Sequence, residues 1–140
     1  MKHAVFALVT VGILAGCGAS EDASLPKSLA DAQLAGRQWG AEDFKIAAKV
    51  SMKLVTSAQP ILIDAWKRGD ASAALAASDD LLAMMRDWND QADQRLVTKY
   101  RSCALAVSAT LGQATALMGR ADFEAEQSHF KENRKACLAI

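Results

Sequence analysis

Helix breakers are scarce in this chain: two prolines and eight glycines in 140 residues. Proline and glycine are the residues that interrupt an α-helix most strongly, so long stretches are free to stay helical. The alternation of β-branched and polar residues on which strands depend is also missing. There is no excess charge of either sign, because 16 basic side chains balance 16 acidic ones. A nucleic-acid-binding surface needs a clear basic surplus, and none is present. With two histidines and three cysteines, the chain contains no Cys-x-x-Cys, no His-x-x-x-His and no haem-attachment Cys-x-x-Cys-His. Glycine-rich phosphate-binding loops are absent too. No cofactor and no metal are therefore expected.

What is present begins at the N-terminus. Lys2 and His3 precede an apolar run over residues 4–13, interrupted by Thr10 and Gly12. A bilayer-spanning helix needs about 20 apolar residues. This run is shorter and suits the core of a cleaved export signal. Leu14-Ala15-Gly16-Cys17 follows at once: an aliphatic residue, two small ones and a cysteine. The tetrapeptide and its position resemble the lipobox of bacterial lipoproteins. That resemblance covers residues 1–18 and says nothing of the family of the remaining chain. It implies that residues 1–16 are a signal peptide, that the Cys17 thiol takes a diacylglycerol, and that the new amine receives an acyl group such as palmitate. One acyl chain holds a protein to a membrane only marginally, while two hold it stably. Gly18 stands where inner-membrane lipoproteins of Gram-negative bacteria carry aspartate. The resemblance thus implies an outer-membrane anchor facing the periplasm, where the source has an outer membrane.

Loss of Lys2 with the signal leaves 15 basic and 16 acidic side chains over residues 17–140, enough chain for one domain. Residues 17–27 are small and polar with one proline, and read as a lipidated tether. Residues 28–140 read as the folded domain. No second apolar run reaches the length of a membrane span, so the lipid on Cys17 is the only anchor to the lipid bilayer expected.

A first short helix is expected over 26–38, with Leu29, Leu34 and Trp39 turned inward and Gly40 at its end. A second starts near Ala41, with Glu42 and Asp43 at its positive end. Phe44, Ala47, Ala48, Ser51, Val55, Ala58 and Leu62 step mostly by three or four, the amphipathic helical period. Pro60 falls within that pattern and predicts a kink or restart, and Gly69 is a natural C-cap. Asp70 or Ser72 caps a third helix. Its stripe runs from Leu75 and Leu82 through Met85, Leu96, Cys103, Val107 and Leu111 to Leu117. A helix of this length is unusual in a globular domain, so a break is expected near Trp88–Asn89. The last helix, over 121–138, is acidic at its start and basic at its end, which complements the helix dipole. The fold class is all-α: an antiparallel bundle of four to five helices.

With Cys17 acylated, Cys103 and Cys137 remain as a pair in an oxidising compartment. If the last two helices fold back at Arg120, Leu117 faces Phe123, Thr110 faces Phe130, and Cys103 faces Cys137. Each step is seven residues, the repeat of an antiparallel helix seam. Helix axes commonly lie about 8–10 Å apart, whereas disulfide Cα atoms sit about 4.4–6.8 Å apart. Ala104, Ala106, Ala136 and Ala139 are small enough to permit the closer approach. A Cys103–Cys137 disulfide is the expected outcome.

Constellations for chemistry are weak. His129 follows Ser128, but adjacent helical residues diverge around the axis, so His129 reads as solvent-facing. The stretch from Asp87 to Thr98 superficially resembles a calcium loop, yet Ala92 and Thr98 occupy the places that need glycine and glutamate. Asp79, Asp80, Asp87, Asp90 and Asp93 supply carboxylates without a histidine or a cleft signature. Lys45, Lys49 and Lys53 form a basic stripe at i, i+4 and i+8. Trp39 and Trp66 read as core anchors. Trp88, among Asp87, Asn89 and Asp90, reads as the tryptophan nearest the surface and a candidate hot spot.

Three functions compete. The first is a non-catalytic adaptor or pilot that binds another envelope protein, its surface formed by Lys45, Lys49, Lys53, Asp87, Trp88 and Asp90. Small helical lipoproteins that pilot secretion pores are similar in size, anchoring and disulfide use. The second is an immunity or inhibitor lipoprotein that neutralises an exported toxin or lytic enzyme. The third is a small envelope hydrolase using paired carboxylates. The protein-binding classes rank above catalysis, and no catalytic residue is assigned. Cys17→Ser is expected to yield a chain without lipid mass that keeps the Cys103–Cys137 bond, both readable by intact mass spectrometry. An acylated product from that variant would overturn the lipobox reading.

Overall fold

A computed structural model describes residues 25–140; Cys17, the lipobox and the signal sequence lie outside these residues. Among the described residues there are five helices and no strand: α1 (Ala41–Arg68), α2 (Ser72–Asn89), α3 (Gln94–Lys99), α4 (Arg101–Ala116) and α5 (Phe123–Leu138). The all-α bundle expected from the sequence is what forms.

The hub is α4. It packs most extensively on α5 and also against α2 and α1, whereas α1 and α5 scarcely meet. Its composition permits this. Cys103, Ala106, Val107, Ala109, Thr110, Gln113, Ala114 and Ala116 are all buried, and most are small. Small side chains let helix axes approach closely on more than one side. The disulfide joins Cys103 to Cys137 with Cα atoms 4.8 Å apart. One heptad along, Thr110 and Phe130 are both buried, as the antiparallel seam requires. Gly112 lies in the same interface, where an added Cβ would come within 2.5 Å of the Glu126 carboxyl carbon. For a bridge across 34 residues, the chain-entropy model gives about 3–4 kcal/mol.

At the start of α1, the Gly40 N–H donates to Asp43 Oδ2 at 2.9 Å. The Arg37 guanidinium donates to both Asp43 oxygens, at 3.1 and 3.0 Å. The Gly40 amide and then Arg37 hold the Asp43 carboxyl below its ordinary range. The expected apolar stripe of α1 is buried at Phe44, Ala47, Ala48, Ser51, Val55 and Leu62. Pro60 sits inside α1 without ending it, and Gly69 closes the helix at φ 65°. One expectation needs amending. By length and composition α1 is apolar enough to cross a membrane, and half of its most apolar 18-residue window is buried within the bundle.

The long third helix is broken, as expected, just beyond Trp88–Asn89. The Asp93 side chain accepts from the Arg95 and Leu96 amides and restarts the helix as α3. A second interruption falls at Tyr100. The phase of α2 differs from the predicted stripe by one residue. Leu75 and Leu82 are exposed, while Ala74, Leu81, Met84 and Trp88 face inward. The cause is Trp88 itself. Its indole N–H donates to Ser51 Oγ at 2.9 Å, and its ring packs edge-on against Trp39 and Phe44. A large apolar ring with a satisfied donor outweighs two leucines in setting the rotation of the helix.

The helix expected over 26–38 does not form. A single turn closes with the Leu34 amide on the Leu29 carbonyl and Gln33 in the left-handed region at φ 59°. Leu29, Leu34 and Trp39 are nevertheless buried. The backbone groups a helix would use internally bond instead to the α2–α3 connection. The Trp39 amide donates to Gln91 Oε1 at 2.8 Å, and Gln91 Nε2 donates to the Arg37 and Asp87 carbonyls. Gln38 Nε2 donates to the Asp90 carbonyl, and Gln38 Oε1 accepts from the Ala92 amide at 2.9 Å. The Gly36 amide donates to Asp87 Oδ1. Two glutamine side chains thus clasp the N-terminal segment to the end of α2. Isolated helices this short are marginal, so the tertiary bonds prevail.

Trp88→Ala removes a buried ring and leaves Ser51 without its donor, at an expected cost of about 3–5 kcal/mol. Urea denaturation followed by far-ultraviolet circular dichroism measures it. A loss below about 1 kcal/mol, typical of surface substitutions, would contradict its placement in the core.

Candidate functional site

Where α1 and α5 scarcely meet, a groove opens between them. Its wider half is a cavity of about 600 Å³ lined by Thr56, Gln59, Pro60 and Ile63 of α1 and by Phe130, Lys131 and Arg134 of α5. Its narrower half, about 330 Å³, lies toward the start of α1 and the end of α5. Lys45, Lys49 and Lys99 rim it, over a floor that includes Met52, Tyr100 and Cys137. In the wall of the wider half, Arg134 Nε donates to Thr56 Oγ1 at 3.0 Å and straps the two helices together. Five cationic side chains line the two cavities, and no aspartate or glutamate side chain does.

Two features make the wider half chemically distinct. Pro60 has no N–H, so the Thr56 carbonyl lacks the donor that the residue four positions on ordinarily supplies. Both residues face the groove. Beneath them is a polar patch inside the core. Gln59 Nε2 donates to Gln113 Oε1 at 2.8 Å and lies 3.5 Å from Thr110 Oγ1, which donates to the Ala106 carbonyl. Among the described residues, Gln113 Nε2 is the fully buried side-chain atom with no hydrogen-bond partner.

The structure separates the residues first grouped as one partner surface. Lys45 and Lys49 are exposed on the groove rim. Lys45 Nζ also meets Glu42 at 2.6 Å, and the carboxylate beside it raises the pH at which the ammonium loses its proton. Lys53, one turn further, donates to the Leu25 carbonyl at 3.4 Å. Asp87, Trp88 and Asp90 do not join them. Asp87 belongs to the glutamine clasp through its carboxylate and Asp90 through its backbone carbonyl, and Trp88 is 3% exposed, so its reading as a surface hot spot is wrong. Polar neighbours in sequence placed it at the surface, but a helix turns each neighbour 100° away. Trp66 errs the other way. Expected in the core, it is 43% exposed and stacks flat on Phe123, with ring centroids 4.8 Å apart. It occupies the last turn of α1, where fewer neighbours remain to cover it.

His129 is exposed on α5, its Nδ1 3.8 Å from Glu126 Oε2. Among the described residues, no three His, Cys, Asp or Glu side chains gather where they could hold a metal ion. The carboxyls of Asp43 and Asp70 are held below the ordinary range, Asp70 by the Ser72 hydroxyl and amide, and neither lines the groove. Gln59, Phe130 and Arg134 were not singled out by sequence reasoning. Arg134 and Thr56 are 78 residues apart, and nothing local marks them as partners. A glutamine on the apolar face of α1 was the one available signal. Comparison with protein-family models, curated proteins and solved structures finds no match to this chain.

Gln59→Leu leaves both amide atoms of Gln113 without partners, at an expected cost of about 1–3 kcal/mol. Adding Gln113→Leu removes the stranded groups together, so the double variant should recover most of that loss in urea denaturation. A double variant no more stable than Gln59→Leu would refute this account of the patch.

Proposed function

We propose that this chain is a lipid-anchored, non-catalytic protein of the bacterial envelope that docks a helix of another envelope protein, as an adaptor or pilot does. The observation that carries the reading is the wider half of the α1–α5 groove. An apolar floor from Ile63, Pro60 and Phe130 suits the apolar stripe of an amphipathic helix. Lys131 and Arg134 stand on the rim without an acidic side chain in the lining, which favours an acidic edge on that helix. Cations so placed select partners and speed encounter more than they add raw affinity. The Thr56 carbonyl offers a polar contact that fixes register. The lipobox resemblance supplies the anchor, and residues 18–24 between Cys17 and the described domain supply the reach.

A photo-crosslinking residue at Ile63, activated in intact envelopes, tests the reading. It should give one discrete adduct with a different protein, and Arg134→Glu with Lys131→Glu should abolish it. The same probe at Leu75, exposed on α2, should give none. No adduct from position 63, or an equal one from position 75, would overturn the groove as the docking site. A toxin or lytic enzyme as the adduct would assign the inhibitor role in place of the adaptor.

A further inference from the structure

The narrower half of the groove is a different kind of surface. Lys45, Lys49 and Lys99 surround a shallow apolar depression, and Leu138 and Ile140 stand beside it 60% and 49% exposed. Ile46, next to Lys45 on α1, is 39% exposed. Apolar tips set among ammonium groups are what a headgroup layer accommodates: the tips enter the acyl boundary while the cations meet phosphates. Glu42 offsets Lys45 in part, through their 2.6 Å ion pair. The depression itself has no acidic side chain in its lining.

Where the described chain begins gives this surface its occupant. Leu25 lies against α1 at Lys53, whose Nζ donates to the Leu25 carbonyl. Lys53 is one helical turn from Lys49 and two from Lys45. Eight peptide steps separate Leu25 from Cys17, a span of at most about 28 Å when fully extended. A lipid on Cys17 would therefore keep this lysine-rimmed edge close to a bilayer.

We propose that the Lys45–Lys49–Lys99 end of the bundle docks on the anionic phospholipid surface to which the chain is tethered. The proposal rests on the lipid anchor of the functional reading but not on the identity of that partner. Each lysine held near an anionic surface gains roughly fivefold in binding. The effect fades beyond a Debye length of about 8 Å at physiological ionic strength, so the docking is salt-sensitive.

The test uses the full-length protein as cells process it, mixed with vesicles of phosphatidylcholine alone or of equimolar phosphatidylcholine and phosphatidylglycerol. A membrane-impermeant amine reagent then labels exposed lysines, read by peptide mass spectrometry. Labelling of Lys45, Lys49 and Lys99 should fall at least about tenfold on the anionic vesicles, given roughly fivefold per lysine. Lys131 should be unaffected. High salt, or Leu138→Asp with Ile140→Asp, should restore the labelling. Equal labelling on both vesicles would overturn the proposal. So would equal protection on both, or protection without vesicles, which would mean that the tether alone, a second copy or the chain's own acidic Glu21–Asp22 covers the lysines. The intact mass of the same sample reports acylation. A failed anchor is thus distinguished from a failed docking surface.

Discussion

The structure depends on how closely α4 can be approached. A helix packed chiefly against three others cannot carry bulky residues on all the faces it buries, and α4 meets that constraint mostly with alanine, threonine, cysteine and glycine. The 4.8 Å Cα separation at Cys103–Cys137 and the tight fit of Glu126 over Gly112 are two expressions of it. Drawing α5 tightly onto α4 has a geometric consequence. The fourth side of the bundle, between α1 and α5, is left unclosed, and the groove is what remains. The feature that rivets the domain also leaves this groove open.

Much of the architecture was legible because it rests on periodicity and counting. The α1 stripe, the break after Asn89, the α4–α5 seam and the cysteine pairing follow from spacings of three, four and seven. What was not legible depended on contacts distant in sequence. The rotation of α2 is set by Trp88 reaching Ser51, 37 residues away. The loss of helix in 26–38 is set by Gln38 and Gln91, each bonding to backbone more than fifty residues off. Amphipathic patterning ranks leucine with tryptophan and sees neither the indole N–H nor the glutamine amides. Those donors and acceptors decided both outcomes.

The candidate site was legible in half. Lys45 and Lys49 were visible as a stripe, and the structure adds Lys99 from another helix to the same rim. The aromatic and acidic half of the predicted surface dissolved in large part, because Trp88 is buried and the Asp87 carboxylate holds the N-terminal segment, while Asp90 contributes only its backbone carbonyl there. A sequence read locally cannot distinguish a carboxylate turned to solvent from one that ties two strands of chain together. The wider groove depends on Gln59, Phe130 and Arg134, which become neighbours only after the bundle has formed. Its polar floor is an exception to the rule that buried donors are paired.

The glutamine clasp also bears on how the domain carries load. Were the chain anchored as proposed, the anchor would drag on its N-terminal side, and the first described segment would receive that pull. Bonds from Gln38, Gln91 and Asp87 cross between this segment and the end of α2 within a few residues of one another, with the Trp39 ring wedged beneath them. Several short links side by side share a tug, rather than opening one after another as in a peeled zipper. Under such a pull the bonds would pass tension to α2 before α1 is reached. In mechanical terms, the segment that declined to become a helix would, on an anchored chain, be the strain relief where the cable enters the plug.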